Sequence, residues 1–279
     1  MWHCASFELD TSQALVMGVL NLTPDSFSND GLFRNVDAAC EQARRMVAEG
    51  ASIIDVGGES TRPGSSEVAL SEELARVVPV VRILANEGMV VSIDTRHAEV
   101  AAACVELGAA IVNDVTGFTQ GAMIALAQDT DVGCVIMHMQ GEPKTMQEAP
   151  EYDDVVSEVE GYLLSQASML EREGVAPGRI CIDPGPGFGK DFDHNRALLC
   201  ATRRLSAHGY PLLAAWSRKR FVGKLTGVEQ PSERVIGSVV AALYAVSQGA
   251  HVVRVHDVAA TVQALAAWRG IHAEGPDGL

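Results

Sequence analysis

Asp183 opens the stretch of the chain whose residue types most suggest chemistry. Residues 182–190 read IDPGPGFGK, so a carboxylate at the end of an apolar run is followed by three glycines, two prolines and a lysine. Glycine and proline together hold an irregular backbone in one conformation and let a ligand approach it closely. The spacing fits neither a phosphate-binding P-loop nor a dinucleotide fingerprint. We therefore expect a rigid loop that holds Asp183 against a ligand without being a nucleotide cradle.

Polar side chains also end the other apolar runs of the chain. The residues in these positions are Asn21, Asp94, Asn113, Asp183, Ser217, Lys219, Arg254 and His256, and Asp55 lies within one further run, ASIIDV. Asp and Asn are common strand-terminating and capping residues, so each one alone would carry little weight. Eight such ends facing one cavity would be much harder to explain as capping.

The elements that must position these residues follow a repeating pattern, which predicts a (β/α)8 TIM barrel. Short runs that are apolar throughout indicate parallel strands buried on both faces. The stretches 36–50, 71–88 and 232–249 have helical spacing and end at glycines that suit helix C-caps, and Ser232 is the predicted N-cap of the last one. About eight such units in 279 residues match the length of a barrel, whose chemistry lies at the C-terminal strand ends. A doubly wound open sheet is the alternative, and we expect one α/β domain over residues 1–279.

The bulk composition limits the function classes. A formal net charge of −15 and a pI near 4.9 disfavour a nucleic-acid-binding or anionic-membrane surface. Six cysteines without a C-x-x-C pair indicate reduced thiols, and the N-terminus has no secretory pattern. No run approaches the roughly 18 apolar residues of a membrane span. These features predict a soluble, cytoplasmic protein.

Cations gather at the predicted barrel mouth in spite of this acidity. Arg62 lies in the proline-stiffened turn STRPG, Lys219 lies in SRKRF, and Arg254 and His256 share one side of the last strand. This set indicates a site for a di- or polyphosphate. Phe27 is an unusual residue in the polar loop NLTPDSFSNDG and suggests a lid that packs on a ligand.

The motifs resemble those of the dihydropteroate synthase family, folate-pathway enzymes that are the target of sulfonamides. The resemblance runs from about residue 16 to residue 258 and includes, in family order, MGVLNLTPDSFS, GASIIDVGGESTRPGS, SIDT, IVNDVTG, MHMQGEPKTMQ, DPGPGFGK, SRKRFVG and RVHDV. It implies a transferase that condenses 6-hydroxymethyl-7,8-dihydropterin diphosphate with 4-aminobenzoate. The products are 7,8-dihydropteroate and pyrophosphate. It further implies dissociative C–O cleavage without a covalent nucleophile, with catalytic roles for Lys219, Arg254 and Asp94.

The resemblance also implies which residues bind the pterin. A pterin presents a 2-amino group beside a ring N–H, and a fixed carboxylate, here Asp183, can accept both as a fork. Lys219 bonds the ring, and Arg254 stacks flat against it. The remaining pterin residues that the resemblance implies are Asp94, Asn113 and Met139.

Two further groups of residues and a partner follow from the same resemblance. Mg²⁺ would sit on Asn21, and the diphosphate would be bound by Asn21, Arg62, Arg254 and His256. The 4-aminobenzoate pocket, where sulfonamides are expected to compete, would be formed by Phe27, Thr61, Arg62, Pro63, Phe188 and Ser217. The family suggests a homodimer through helices late in the barrel, and the apolar face of SVVAALYAVS permits one.

Two alternative functions share part of this motif pattern. A methyltetrahydrofolate methyltransferase would share the pterin-binding residues but does not require the TPDSF, STRPG and SRK motifs. The other alternative is an inactive pterin-binding paralogue. His138 matches a family motif, yet we expect it to be a core histidine bonded to backbone. The chain departs from the usual family pattern at Pro186, at Ala215 and at the pair Arg96–His97, and the first two could reshape the pterin slot.

Overall fold

The computed structural model describes residues 1–23, 35–60, 68–141 and 145–272. In these ranges the strands are β1 (Trp2–Cys4), β2 (Phe7–Leu9), β3 (Leu15–Asn21), β4 (Ile53–Gly57), β5 (Val91–Asp94), β6 (Ile111–Asp114), β7 (Gly133–Met137), β8 (Ile180–Asp183), β9 (Leu213–Ala214) and β10 (Val252–Val255). The α-helices are α1 (Val36–Ala48), α2 (Leu70–Asn86), α3 (Ala98–Glu106), α4 (Gly121–Asp129), α5 (Val155–Arg172), α6 (Phe192–Cys200), α7 (Thr202–Leu205), α8 (Arg220–Thr226), α9 (Val235–Ser247) and α10 (Val258–His272).

The strands β3 to β10 are parallel and form a nearly closed barrel. Their order is β8-β7-β6-β5-β4-β3-β10-β9, and a parallel bridge between Ile182 and Leu212 joins the two ends. The helices pack on the outer face of this sheet, and inward side chains of the strands fill part of its inner face, so the strands are covered on both faces, as their apolar runs require. The predicted TIM barrel is confirmed, and the open sheet is excluded.

Strand alternation places the polar residues on the inner face of the barrel. The pairing register sets Asn21 beside Gly57, Gly57 beside Asp94, and Asp94 beside Asn113 across four adjacent strands. Because every second side chain of a strand points inward, neighbours in register face the same cavity. The C-terminal rim of the barrel therefore carries a row of polar groups, Asn21, Asp94 and Asn113, with Gly57 between the first two.

The predicted helix ends are confirmed, but one predicted helix start is wrong. The helices α1, α2 and α9 end just before Gly50, Gly88 and Gly249, whose φ values of 105°, 78° and 100° are left-handed. Ser232 does not cap α9. It lies in a short 3-10 turn (Pro231–Glu233), and α9 begins at Val235 after Arg234, without a side-chain capping bond.

The opposite end of the barrel is closed by the hairpin β1–β2. Trp2 and Cys4 are fully buried against inward residues of the strands, and the Trp2 indole donates to the Arg179 carbonyl oxygen at 2.9 Å.

All six cysteines are free thiols, and Cys200 is the exposed one. Within the described ranges, no helix is both long and apolar enough to cross a membrane. The one end of the barrel left for a ligand is the rim with the polar row.

Candidate active site

The glycine-rich loop after β8 packs directly on the loop after β7. Gly185 and Gly189 have φ angles of 62° and 63°, in the region that favours glycine. A Cβ atom on Gly185 would lie 1.9 Å from the carbonyl oxygen of His138, and one on Gly189 would lie 2.3 Å from that of Gln140. A side chain at either glycine would therefore separate the two loops. The close approach that the sequence led us to expect from a ligand is made at these glycines by neighbouring backbone.

Asp183 ends β8 on the inner face of the barrel and is only 3% exposed. Its Oδ1 accepts the backbone N–H of Gly185 at 2.7 Å, so the glycine loop fixes the orientation of the carboxylate. Burial raises the pKa of Asp183, whereas the positive charge of Lys219 and the N–H of Gly185 act to lower it. The result is an oriented carboxylate with acceptor capacity left for a ligand.

Lys219 reaches back over the same loop. Its Nζ donates to the carbonyl oxygen of Pro186 at 2.5 Å and lies 4.9 Å from the centre of the Phe188 ring. Burial lowers the pKa of Lys219 to about 8, and the charge of Asp183 acts in the opposite direction. Because Pro186 contributes its carbonyl oxygen, the unusual residue at this position does not disturb the contact with Lys219.

Arg254 lies between two carboxylates on the inner face of the barrel. Its Nε donates to Asp55 Oδ2 at 2.6 Å, and its Nη2 donates to Asp94 Oδ2 at 2.5 Å. Burial raises the pKa of Asp94 to about 7, against the lowering effect of Arg254. The other oxygen of this carboxylate, Oδ1, is buried, and none of the residues that the structure describes forms a hydrogen bond with it. Asp94 thus keeps one free acceptor next to Arg254.

Asp55 also fixes the amide of Asn113. The Asn113 Nδ2 lies 3.3 and 3.4 Å from the two carboxylate oxygens of Asp55, whose own exposure is 0%. Sequence reasoning did not place Asp55 in the site, although it was noted inside an apolar run. Asp55 lies two residues from each of positions 53 and 57 of β4, which point into the barrel. This alternation could have identified Asp55 as an inward residue.

Ser217 and His256 lie together where the loops after β9 and β10 meet. The Ser217 Oγ lies 3.0 Å from His256 Nδ1 and accepts the backbone N–H of His256 at 3.1 Å. The neighbouring Arg218 has a left-handed φ of 57° and forms an ion pair with Asp257 at 2.5 Å. Of the cations in the SRK motif, Arg218 is thus used to join two loops.

His138 is buried, as expected, and its ring contacts a backbone group of His138 itself as well as the side chain of Lys190. Lys190, only 2% exposed, places Nζ 2.9 Å from His138 Nδ1 and donates to the carbonyl oxygens of His138 and Phe188 at 3.2 and 2.9 Å. Burial, with the charge of Lys190, lowers the pKa of His138 to about 3, so the ring is neutral. Lys190 therefore ties the glycine loop to the end of β7.

The remaining departures from the family pattern are the pair Arg96–His97, which follows β5, and Ala215, which follows β9. Arg96 forms a two-bond ion pair with Glu59 at 2.9 and 3.0 Å, and His97 Nδ1 lies 2.7 Å from the buried carboxylate of Glu73. Ala215 is 4% exposed and belongs to the inner core. Arg96 and His97 thus join the loop after β5 to the elements around β4 and α2.

The described ranges contain only part of the predicted site. Asn21 ends β3, and Met139 follows β7; both are half-buried. Phe27, Thr61, Arg62 and Pro63 lie outside the described residues. The structure brings the ten described members of the predicted site to the loops and strand ends of one rim: Asn21, Asp94, Asn113, Met139, Asp183, Phe188, Ser217, Lys219, Arg254 and His256.

This arrangement of buried carboxylates, an amide, a lysine and an arginine at one barrel rim agrees with the family match. The sequence pattern of the family described as pterin binding enzyme matches residues 17–256. The chain belongs to this family. The dihydropteroate synthase of Escherichia coli (strain K12) is 46% identical over 258 residues, which cover 92% of this chain and 91% of that relative.

Solved structures of the family are similar over nearly the whole chain. Dihydropteroate synthase of Burkholderia cenocepacia, complexed with 7,8-dihydropteroate, is 47% identical with a TM-score of 0.90 and covers 98% of this chain and 96% of its own. The Yersinia pestis enzyme, in a sulfonamide drug complex, is 42% identical with a TM-score of 0.93 and covers 97% and 98%. The resemblance noted in the sequence motifs is thus confirmed.

Proposed function

We propose that the protein is a dihydropteroate synthase, a transferase that joins 6-hydroxymethyl-7,8-dihydropterin diphosphate to 4-aminobenzoate and releases pyrophosphate. The observation that carries this proposal is the oriented pair of Asp183 and Lys219 facing the group of Arg254, Asp94 and Asn113. The proposal includes one barrel domain over residues 1–279. Its support from outside the site is the high identity to dihydropteroate synthases along almost all of the chain.

The pterin lies with its amino edge on Asp183. A carboxylate has about four lone-pair positions, and Gly185 uses one of them, so both oxygens can accept the parallel 2-amino and ring N–H donors. Asp94 offers Oδ1, which bonds none of the described residues, as a further acceptor. Lys219 donates to the pterin carbonyl or ring nitrogen, and Arg254 lies against the ring with Met139 at the edge of the slot.

The reaction separates the pterin-methyl carbon from its diphosphate. The C–O bond breaks, its electron pair leaves with pyrophosphate, and the amine of 4-aminobenzoate captures the pterin-methyl cation and then loses a proton. Cations stabilise the charge that develops on the leaving group. Arg62, Arg254 and His256 have this role, and His256 is oriented by its bond to Ser217. Lys219, Arg254 and Asp94 hold the pterin in the reactive position.

Mg²⁺ fits at Asn21. The position beside Asn21 is Gly57, where a Cβ would contact both Asn21 Oδ1 and Asp94 Cβ at 3.7 Å, so no side chain of β4 separates Asn21 from Asp94 at this position. An amide oxygen is a ligand type that Mg²⁺ takes together with waters and substrate phosphates. The cluster of Glu59, Glu73 and His97 fits less well, because Arg96, Thr95 and His97 already bond its carboxylates. When bound, the ion would neutralise diphosphate charge.

The 4-aminobenzoate occupies the space next to the pterin-methyl carbon. Phe188 and Ser217 are the described members of this pocket, and Phe27, Thr61, Arg62 and Pro63 are the others. Because Lys219 lies over the Phe188 ring, the pterin and aminobenzoate residues are in contact with each other. Sulfonamides should compete for the same pocket.

A homodimer is part of the proposal. Ile236, Val240 and Tyr244, spaced by one helical turn each on α9, are 81%, 59% and 39% exposed. An apolar stripe of this kind on an otherwise acidic protein is typical of an association surface. A second copy of this chain is the partner that we propose for it.

The test is pyrophosphate release by the purified protein. Release should require both the pterin diphosphate and 4-aminobenzoate, and it should fall with added sulfonamide. Pterin binding without any release would favour the inactive paralogue. Methyl transfer from methyltetrahydrofolate, without use of 4-aminobenzoate, would favour the methyltransferase.

A further inference from the structure

Asp55 connects two pterin residues that belong to different strands. It lies in the middle of β4, deeper in the barrel than the rim, and its exposure is 0%. One carboxylate oxygen accepts Arg254 Nε at 2.6 Å, and both oxygens lie near Asn113 Nδ2. Arg254 comes from β10 and Asn113 from β6, so a single buried carboxylate joins side chains from opposite parts of the rim.

The bond to Arg254 restricts the plane of its guanidinium. Nε bonds Asp55 while Nη2 bonds Asp94, so two carboxylates hold two nitrogens of the same planar group. A guanidinium held at two nitrogens by two separate carboxylates cannot turn out of its plane without breaking at least one of these charged hydrogen bonds. Its face is therefore presented in one orientation to whatever binds beside it.

The contact with Asn113 restricts which end of the amide faces the cavity. An ionised carboxylate only accepts hydrogen bonds, so the NH₂ group of Asn113 must point at Asp55. The carbonyl oxygen of the amide is then left for a ligand. Three acceptors, on Asp183, Asp94 and Asn113, consequently face the same cavity, and this suits a ring edge that is rich in N–H donors.

We propose that Asp55 is a positioning residue, which does not touch the substrate but fixes the plane of Arg254 and the donor–acceptor sense of Asn113. This inference rests on the proposed function only in naming the bound ring as a pterin. Asp55→Asn keeps the shape of the side chain. One of its two neighbours then loses its partner, because an amide offers one acceptor and one donor where the carboxylate offered two acceptors.

The first experiment measures the affinity for 6-hydroxymethylpterin, without a diphosphate, by calorimetry. Asp55→Asn should weaken binding by about tenfold or more, as expected for loss of a charged hydrogen bond. The matched control is Glu160→Gln, which removes a carboxylate from an ion pair with Arg204 on the outer helices and should leave the affinity unchanged. A thermal melt of each variant shows that it is folded.

The second experiment tests whether Asp55 acts through Arg254. The affinity is measured for Arg254→Ala and for the double variant, which forms a double-mutant cycle. If Asp55 positions Arg254, the Asp55→Asn change should cost clearly less when Arg254 is absent. An equal fold-loss in both backgrounds, or wild-type affinity in a folded Asp55→Asn protein, would overturn the inference. Failure of the wild-type protein itself to bind the pterin would instead contradict the proposed function.

Discussion

At the scale of single residues, the pKa values of Asp94 and Lys219 lie close together. Burial raises the pKa of Asp94 to about 7 and lowers that of Lys219 to about 8. Asp94 accepts hydrogen bonds best as a carboxylate, which dominates above its pKa, and Lys219 carries its charge below its pKa. Pterin affinity should therefore be highest between about pH 7 and 8 and fall on both sides. Calorimetric titrations of 6-hydroxymethylpterin over this range measure the profile.

Two variants identify which residue causes the acidic side and which causes the basic side of this pH profile. Asp94→Asn should bind more weakly and lose the acidic limb, since its amide does not titrate. Lys219→Arg keeps the positive charge to higher pH, so the basic limb should shift to higher pH relative to the wild type. Because the pterin is the same in both measurements, the difference between the two profiles does not depend on titration of the pterin. An acidic limb that persists unchanged in Asp94→Asn would show that another group is responsible.

At the scale of elements, the contact between the loops after β7 and β8 positions Asp183. Gly185→Ala would place a methyl group 1.9 Å from the His138 carbonyl oxygen, which belongs to rigid backbone. The loop must then move, and the bond from the Gly185 N–H to Asp183 is lost with it. We expect a large loss of pterin affinity, of about tenfold or more, since a charged hydrogen bond is removed. Binding assays and denaturant unfolding measure the two effects separately.

A second glycine provides the control for this substitution. Gly209 has a φ of 83°, also left-handed, but in the described part of the chain no atom beyond its two sequence neighbours lies within 4 Å of its Cβ position. Gly209→Ala should therefore cost only the backbone strain of roughly 1–2 kcal/mol in stability and leave pterin binding intact. Equal pterin affinities of the Gly185→Ala and Gly209→Ala proteins would show that the loop contact does not position Asp183.

The same scale shows what could be predicted from the sequence. Residues at strand ends, such as Asp183 and Asn113, follow directly from apolar runs, because parallel strands bring their C-terminal ends to one rim. Asp55 was harder to place, since its role depends on which strands its inward side chain faces. The pairing of Lys190 with His138 joins residues 52 positions apart, and only the packing of two loops brings them together.

At the scale of the whole molecule, the apolar stripe on α9 predicts a dimer. Val240 is 59% exposed between Ile236 and Tyr244, and Val240→Glu would place a charge at the centre of the proposed interface. Burying an unpaired carboxylate is costly, so this variant should be monomeric. Because each chain carries a net charge of −15, the wild-type dimer should also weaken at low ionic strength, where like charges are screened less. Sedimentation velocity measures both effects.

The control places the same substitution on another helix. Val47 on α1 is 41% exposed, and Val47→Glu adds an equal charge away from α9. This variant should keep the oligomeric state of the wild type, and both variants should bind 6-hydroxymethylpterin normally, because α9 contributes none of the residues assigned to the pterin. If the wild-type chain sediments as a monomer, or if Val240→Glu remains a dimer, the stripe on α9 does not join two copies. Loss of the dimer in both variants would point to charge repulsion between acidic chains as the cause.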